Sequence, residues 1–398
     1  VLYFEEISFK KTQENVMNKS IVNQQSIKQF NTNKILKLLT STEMISRAEL
    51  AKQTGLNKAT VSKITDELLN ENLIKDLGYG ISSGGRKPKL LKFNPDAKYI
   101  VGIKIGGTDI YFTVMNMKLE NVFTQRIEIN NNDTGIIAEL LKESFNHAVK
   151  KLGIEIKHII EVAVAVPATV NIKGMILHAP NIGWKNIDLS EEFKDVFTDI
   201  PINTFNEANA GALGALHHIT NPENTNLVYV SAGIGIGTGI IISGNLYRGK
   251  MGLAGEFGHN VIVENGRQCH CGRKGCWETY ASEQAFYDSL ERKGLKMEKD
   301  IEKVFTELKN NNPIALEAMD ELSSYMNIGL ENVARAMSPD YIIIGNKLRH
   351  FKNYLNIYDE IQGSKVLFID KESHTTIEGM GFVIARKYLY HDRYNVNN

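Results

Sequence analysis

"ISRAELAKQTGLNKATVSKITDELLNENLI", residues 45–74, decides the fold of the amino-terminal part of this chain. Ser46 stands three residues before Glu49, the spacing of a capping box, so a helix is expected to begin near Arg47. Gly55 supplies the left-handed backbone that ends it, and Asn57 is placed to cap a second helix from Lys58 to about Asn70. Ala48, Leu50, Ala51, Leu56, Val61, Ile64 and Leu68 give the two helices a shared apolar side. Two capped helices around a glycine turn make a helix-turn-helix.

The second helix carries Lys58, Ala59, Thr60, Ser62 and Lys63 near its exposed amino-terminal side. These side chains are small, hydrogen-bonding or cationic, the types that enter a major groove and touch base edges or phosphates. Ser46, Arg47 and Asn57 are the neighbouring candidates for DNA contact. Upstream, "NQQSIKQFNTNKILKLLTS" puts Ile27, Phe30, Ile35, Leu38 and Leu39 at approximate helical spacing. Downstream, "LIKDLGYGISSGGRKPKLLKFNP" reads as strand, glycine-rich turn and strand, the wing of a winged helix. Arg86, Lys87 and Lys89 at its tip suit phosphates or a minor groove. Residues 24–92 hold 12 Lys and Arg against 6 Asp and Glu, in a chain balanced at 46 of each. A basic front on an acidic body points to a polyanion partner for the front alone. The winged helix is expected over 24–95, a body over 96–398, and an extension lacking structural pattern over 1–23, with Met17 as a possible internal start.

With 398 residues, 42% hydrophobic and 23% charged, the chain has the composition of a soluble protein of two or three domains. No stretch approaches the roughly 20 apolar residues that cross a bilayer. The first residues carry acidic side chains and no long apolar run, unlike a secretory signal. A cytoplasmic location and no membrane partner are expected.

From residue 99 strands and helices alternate. "YIVGIKIGG", "DIYFTVMNM" and "VFTQRIEIN" are three β-rich runs, "TGIIAELLKESFNHAVKKL" is an amphipathic helix, and "IIEVAVAVPATVN" is a buried strand entering a loop. A second round begins at "TNLVYVSAGIGIGTGIIISGNLYRG". Two rounds predict a two-lobed α/β body with a cleft between the lobes. "CHCGRKGC", residues 269–276, holds all three cysteines of the chain. A disulfide framework would spread an even number of cysteines; three clustered thiolates look like metal ligands lacking a fourth. His259 in "GEFGHN" is the nearest upstream candidate, and His270 lies inside the cluster.

"VSAGIGIGTGIIISGNLYRGKMGLAGEFGH", "CHCGRKGCWETYAS" and "NEANAGALGAL" resemble the ROK family of repressors, open reading frames and kinases over residues 98–390. With the winged helix in front, the arrangement is similar to the family's transcriptional repressors. "SSGGRKP", "APNIGWKNIDL" and "NEANAGA" resemble those that respond to xylose. The resemblance implies an actin-like body of two ribonuclease-H-like lobes with a sugar, D-xylose, in the cleft. It implies sugar contacts from Asn206, Glu207, Glu256, His259 and Glu278, with the loop from Asn181 to Trp184 closing over the ligand. It also favours His259 as fourth ligand of a structural Zn²⁺ held with Cys269, Cys271 and Cys276, a knot over 259–276 with no open position. Operator DNA bearing an inverted repeat, read by a homodimer, would be the macromolecular partner.

The alternative is an ATP-dependent sugar kinase carrying an extra domain. Kinases of the family resemble "DIGGT" where this chain has "KIGGT", so Lys104 replaces an aspartate for magnesium and phosphate. Their base is the Asp of "NDAN", where this chain has Glu207. A glycine pair after "IIIG" is replaced by Asn346 and Lys347. All three departures fall on phosphoryl transfer, and no catalytic residue is expected.

Overall fold

The computed structural model describes residues 24–79, 88–369 and 374–391. Contacts divide the chain into two units: one holds the residues up to Asn94 together with the end of the last helix from Tyr388, the other Pro95–Lys387. In the amino-terminal unit, α1 (Gln24–Ser41) precedes β1 (Ile45–Ser46), α2 (Arg47–Thr54), α3 (Lys58–Asn70), β2 (Ile74–Tyr79) and β3 (Lys89–Phe93). The Ser46 hydroxyl accepts from the Glu49 backbone N–H at 3.1 Å, and Asn57 Oδ1 accepts from that of Thr60 at 2.8 Å. Gly55 adopts φ +72°, a backbone that residues with a Cβ avoid, which is why the turn needs glycine.

Leu50, Val61, Ile64 and Leu68 are buried with Ile35, Leu36 and Leu39 of α1. The helical spacing failed at three positions. Ile27, Phe30 and Ala48 are exposed, so the apolar side shared by the helices does not include them. The three strands pair in the order β1-β3-β2, with β2 and β3 antiparallel. The expected wing-tip residues Arg86 and Lys87 lie outside the described residues.

The body contains two sheets built alike. The first comprises β4 (Tyr99–Ile105), β5 (Asp109–Asn116), β6 (Asn121–Glu128), β7 (Ile159–Val166) and β11 (Ile202–Asn206), ordered β11-β7-β4-β5-β6. The second comprises β12 (Leu227–Ala232), β13 (Ile236–Ile242), β14 (Asn245–Tyr247), β15 (Tyr341–Gly345), β16 (Glu360–Ile361) and β17 (Ser364–Phe368), ordered β14-β13-β12-β15-β17-β16. In each, an antiparallel meander leads into parallel strands. A small sheet of β8 (Thr169–Val170), β9 (Ile176–Ala179) and β10 (Trp184–Ile187) adjoins the first lobe.

The helices of the body are α4 (Thr134–Leu152), α5 (Leu189–Glu192), α6 (Glu207–His217), α7 (Glu278–Ala281), α8 (Glu283–Arg292), α9 (Ile301–Lys309), α10 (Pro313–Met337) and α11 (His374–Tyr390). Helix α6 follows the last strand of the first sheet and packs on β12 and β13 of the second. Its small residues allow that: a Cβ on Gly239 of β13 would meet the Ala208 carbonyl oxygen at 2.4 Å. The amino-terminal end of α6 therefore stands where the two lobes meet. Each lobe keeps its own apolar cluster, around Phe112, Phe145 and Trp184 in one and Trp277, Phe286 and Phe351 in the other.

Candidate functional site

On α3, Lys58, Ala59 and Lys63 are exposed and Thr60 and Ser62 half-buried, so the helix offers the set expected from the sequence. The flanking candidates have structural partners. Ser46 and Asn57 are helix caps, and Arg47 Nη2 donates to Asp66 Oδ1 at 2.6 Å.

A cavity of about 860 Å³ lies in the body. Asn181, Asn206, Glu207, Glu256, His259 and Glu278 all line it, though they come from four separate segments of the chain. Trp184 does not. Its ring is buried in the first lobe's core and its Nε1–H donates to the Asn132 carbonyl at 2.6 Å. Asn206 is spent on architecture: Oδ1 accepts from the Asn209 N–H and Nδ2 donates to the Ala168 carbonyl. Sequence reasoning missed Asp109 and His178 on the cavity wall; both sit in strand alternation, where an inward polar residue looks like an outward one.

The four predicted metal ligands converge. His259, Cys269, Cys271 and Cys276 place one donor atom each within 4.8 Å of one another. His259 Nδ1 lies 3.6 Å from Cys269 Sγ, and Cys271 Sγ 3.6 Å from Cys276 Sγ. A tetrahedron with bonds of about 2.0–2.3 Å has edges of about this length, so the donor set fits a closed metal site. Burial pushes the thiols of Cys269 and Cys276 up. Burial acts in the same direction on Cys271, but hydrogen bonds led by the Arg273 backbone lower it. A bound cation would favour all three thiolates. His270 belongs to a second possible grouping with His259 and Glu278.

The knot touches the cavity through Glu278. Its buried carboxylate Oε1 lies 3.0 Å from Cys269 Sγ, 3.4 Å from His259 Nδ1 and 3.3 Å from His270 Nδ1. Arg267, which the sequence did not single out, anchors the knot. It donates to the Thr279 carbonyl at 2.9 Å and to Glu321 of α10 at 2.6 Å, and lies over the Tyr280 ring at 4.3 Å.

Across the cavity, Lys104 Nζ at the end of β4 lies 2.6 Å from Glu207 Oε1 at the start of α6. Burial works to lower the Lys104 pKa, but the charge and hydrogen bond of Glu207 outweigh it and hold it above its ordinary value. Asn346 Nδ2, beyond β15, donates to Ser231 Oγ at 3.0 Å and approaches the same Glu207 oxygen at 3.4 Å. Lys104 and Asn346 thus meet at the Glu207 carboxylate, whereas Lys347 Nζ lies 3.2 Å from Glu283.

A winged helix joined to a two-lobed body of duplicated sheets, with a polar cleft and a thiolate-rich knot beside it, defines the class. The ROK family pattern matches residues 100–377, and a winged helix-turn-helix DNA-binding pattern matches 31–75. The chain belongs to the ROK family. It is 36% identical over 330 residues to a xylose repressor from Bacillus spizizenii, covering 82% of this chain and 85% of that protein. A crystal structure of a ROK family transcriptional regulator, described as a homologue of the E. coli MLC protein, superimposes with a TM-score of 0.74. That match covers 92% of this chain and 97% of the other, at 25% identity. A glucokinase from Halalkalibacterium halodurans is 30% identical over 264 residues, 62% of this chain and 80% of its own.

Proposed function

We propose that this protein is a sugar-responsive transcriptional repressor: the winged helix over 24–95 binds operator DNA and the body over 96–398 senses D-xylose in its cleft. One observation carries the reading. The polar groups suited to a polyol line a single cavity, while the corner where phosphoryl transfer would occur is closed by the Lys104–Glu207 ion pair. The similarity to a xylose repressor along most of both chains supports the effector and the DNA module together.

Glu207, Glu256, His259 and Glu278 are the proposed hydroxyl partners, with Asn181 at the rim. A polyol hydroxyl left without one of these partners would strand a buried polar group, which is how such a site distinguishes one sugar from another. The knot holds a structural Zn²⁺ that positions His259 and Glu278 and leaves no coordination position for substrate. The body performs no phosphoryl transfer. Lys58, Ala59, Thr60, Ser62 and Lys63, with Arg86 and Lys87 of the wing, contact DNA. Because one recognition helix covers one half-site, a homodimer reads an inverted repeat in the cytoplasm. Sugar acts by binding the DNA-competent and DNA-released states with different affinity.

A thermal-shift panel of D-xylose, other pentoses, glucose and Mg·ATP on the zinc-loaded chain tests the reading. A ligand at about 100 times its Kd adds roughly 2.7 kcal/mol of stability. D-xylose is expected to raise Tm and to change operator binding in a mobility-shift assay, with Mg·ATP silent. Sugar-dependent ADP production would overturn the repressor-only reading in favour of a kinase.

A further inference from the structure

Four charged side chains at the β4 end of the cleft, Lys104, Asp109, Arg126 and Glu207, pair off completely. Lys104 Nζ is 2.6 Å from Glu207 Oε1, and Arg126 Nε and Nη2 are both 3.0 Å from Asp109 Oδ2. Among these four side chains the charges cancel. A divalent cation is held through carboxylate oxygens, and here each carboxylate already answers to a cation of its own.

Asn346 reinforces the arrangement. Its backbone sits at φ 64°, ψ −153°, a conformation that is strained for a residue with a Cβ and persists where the surroundings impose it. In return its amide joins Ser231 of the second sheet to the Glu207 carboxylate. Glu207 is thereby held from both lobes, by an ammonium from the first sheet and an amide from the second. With Oε1 engaged twice, Oε2 is the oxygen left to meet a ligand.

We propose that Lys104 is a specificity-determining residue: its ammonium is a built-in counter-ion that keeps divalent cations out of the cleft and orients Glu207 toward a neutral polyol. The Mg²⁺ that the kinase branch of the family implies does not fit this corner. The sugar-orienting half of the inference rests on the repressor reading; the cation-excluding half stands without it.

Two variants separate the halves. Lys104→Asp places a third carboxylate beside Asp109 and Glu207, and Lys104→Met keeps the aliphatic stem without the charge. Both are compared with wild type as zinc-loaded full-length protein, using Mn²⁺ as an EPR-visible probe and D-xylose in calorimetry. Lys104→Asp is expected to bind Mn²⁺ at least tenfold more tightly than wild type. Equal Mn²⁺ binding by the two proteins overturns cation exclusion. Lys104→Met is expected to lose about tenfold or more in D-xylose affinity with unchanged near-UV circular dichroism, and unchanged affinity overturns the orienting role. Should Lys104→Asp fail to fold, Lys104→Asn carries the Mn²⁺ comparison on the same terms, with a smaller gain expected. A wild type that binds no pentose sinks the sugar reading while the Mn²⁺ result still decides the other half.

Discussion

The Cys269 thiol and the Glu278 carboxylate meet at 3.0 Å, and His259 Nδ1 lies 3.4 Å from the same carboxylate oxygen. The metal-type knot and the cavity wall are therefore one constellation. Whatever fixes the thiols fixes an acid that faces the cleft.

Cys276→Ala isolates that dependence, because Cys276 is fully buried and is not a residue of the cavity wall. The variant is expected to lose bound metal, read by atomic absorption. D-xylose affinity should fall about tenfold or more, the usual scale for disturbing groups around a metal. Undiminished sugar affinity in the metal-free variant would show that the knot does not position Glu278.

The carboxylate that holds the Arg267 anchor, Glu321, titrates in acid. Burial raises the Glu321 pKa, yet hydrogen bonds from Ser289, Arg267 and Arg292 more than offset it and bring the group from 4.5 down to about 2. A depressed carboxylate contributes stability that is present above the unfolded value and lost as pH falls through the folded one. Wild type should lose this contribution between about pH 4.5 and pH 2. Glu321→Gln should be less stable than wild type at pH 7, with the difference narrowing across that window. Denaturant titrations at stepped pH measure it, and a constant difference would refute the assignment.

Local chemistry was legible in the sequence and contacts across the chain were not. The Ser46 cap, the Gly55 turn and the span of α3 each depend on neighbours within a few residues, and all were read from spacing. The three thiol donors were legible because a thiolate cluster has few other uses, while the choice of His259 over His270 came from the family resemblance. The Lys104–Glu207 pair joins a strand end to a helix start far apart in the chain, so two separate departures from a pattern gave no sign that they neutralise each other. Trp184 misled for a physical reason: an indole in a glycine-bearing loop suits a ligand lid and a core plug equally. Burial among apolar side chains and a hydrogen bond to the Asn132 carbonyl make it the plug.

The winged helix separates a cap from a contact. Ser46→Ala removes the acceptor for the Glu49 N–H and should cost about 1 kcal/mol of stability, with little effect on operator preference. Lys58→Ala should leave stability nearly unchanged and weaken binding to specific and random DNA alike. If Lys58 meets a phosphate, the slope of log K against log salt becomes shallower by about 0.9. Fluorescence anisotropy over a salt series reads both. An unchanged slope for Lys58→Ala removes that lysine from the phosphate contacts.

Gly329, inside α10, links helix packing to the knot. Replacing a helix-interior glycine with alanine ordinarily gains about 1 kcal/mol. Here the added Cβ would stand 1.8 Å from Trp277 Cε2, inside the indole. Trp277 is fully buried, its Nε1–H donates to the Tyr325 carbonyl at 3.0 Å, and it lies between Cys276 and Glu278 in the chain. The ring cannot retreat without carrying a metal-type ligand and a cavity-wall acid with it. Gly329→Ala should therefore destabilise by roughly 1–3 kcal/mol through overpacking and weaken D-xylose binding as well. Trp277→Phe, with a smaller ring, should recover part of the stability when combined with Gly329→Ala, a coupling that a double-mutant cycle detects. Strict additivity of the two substitutions would mean that the helix yields instead of the ring, and the route from α10 to the cleft would be lost.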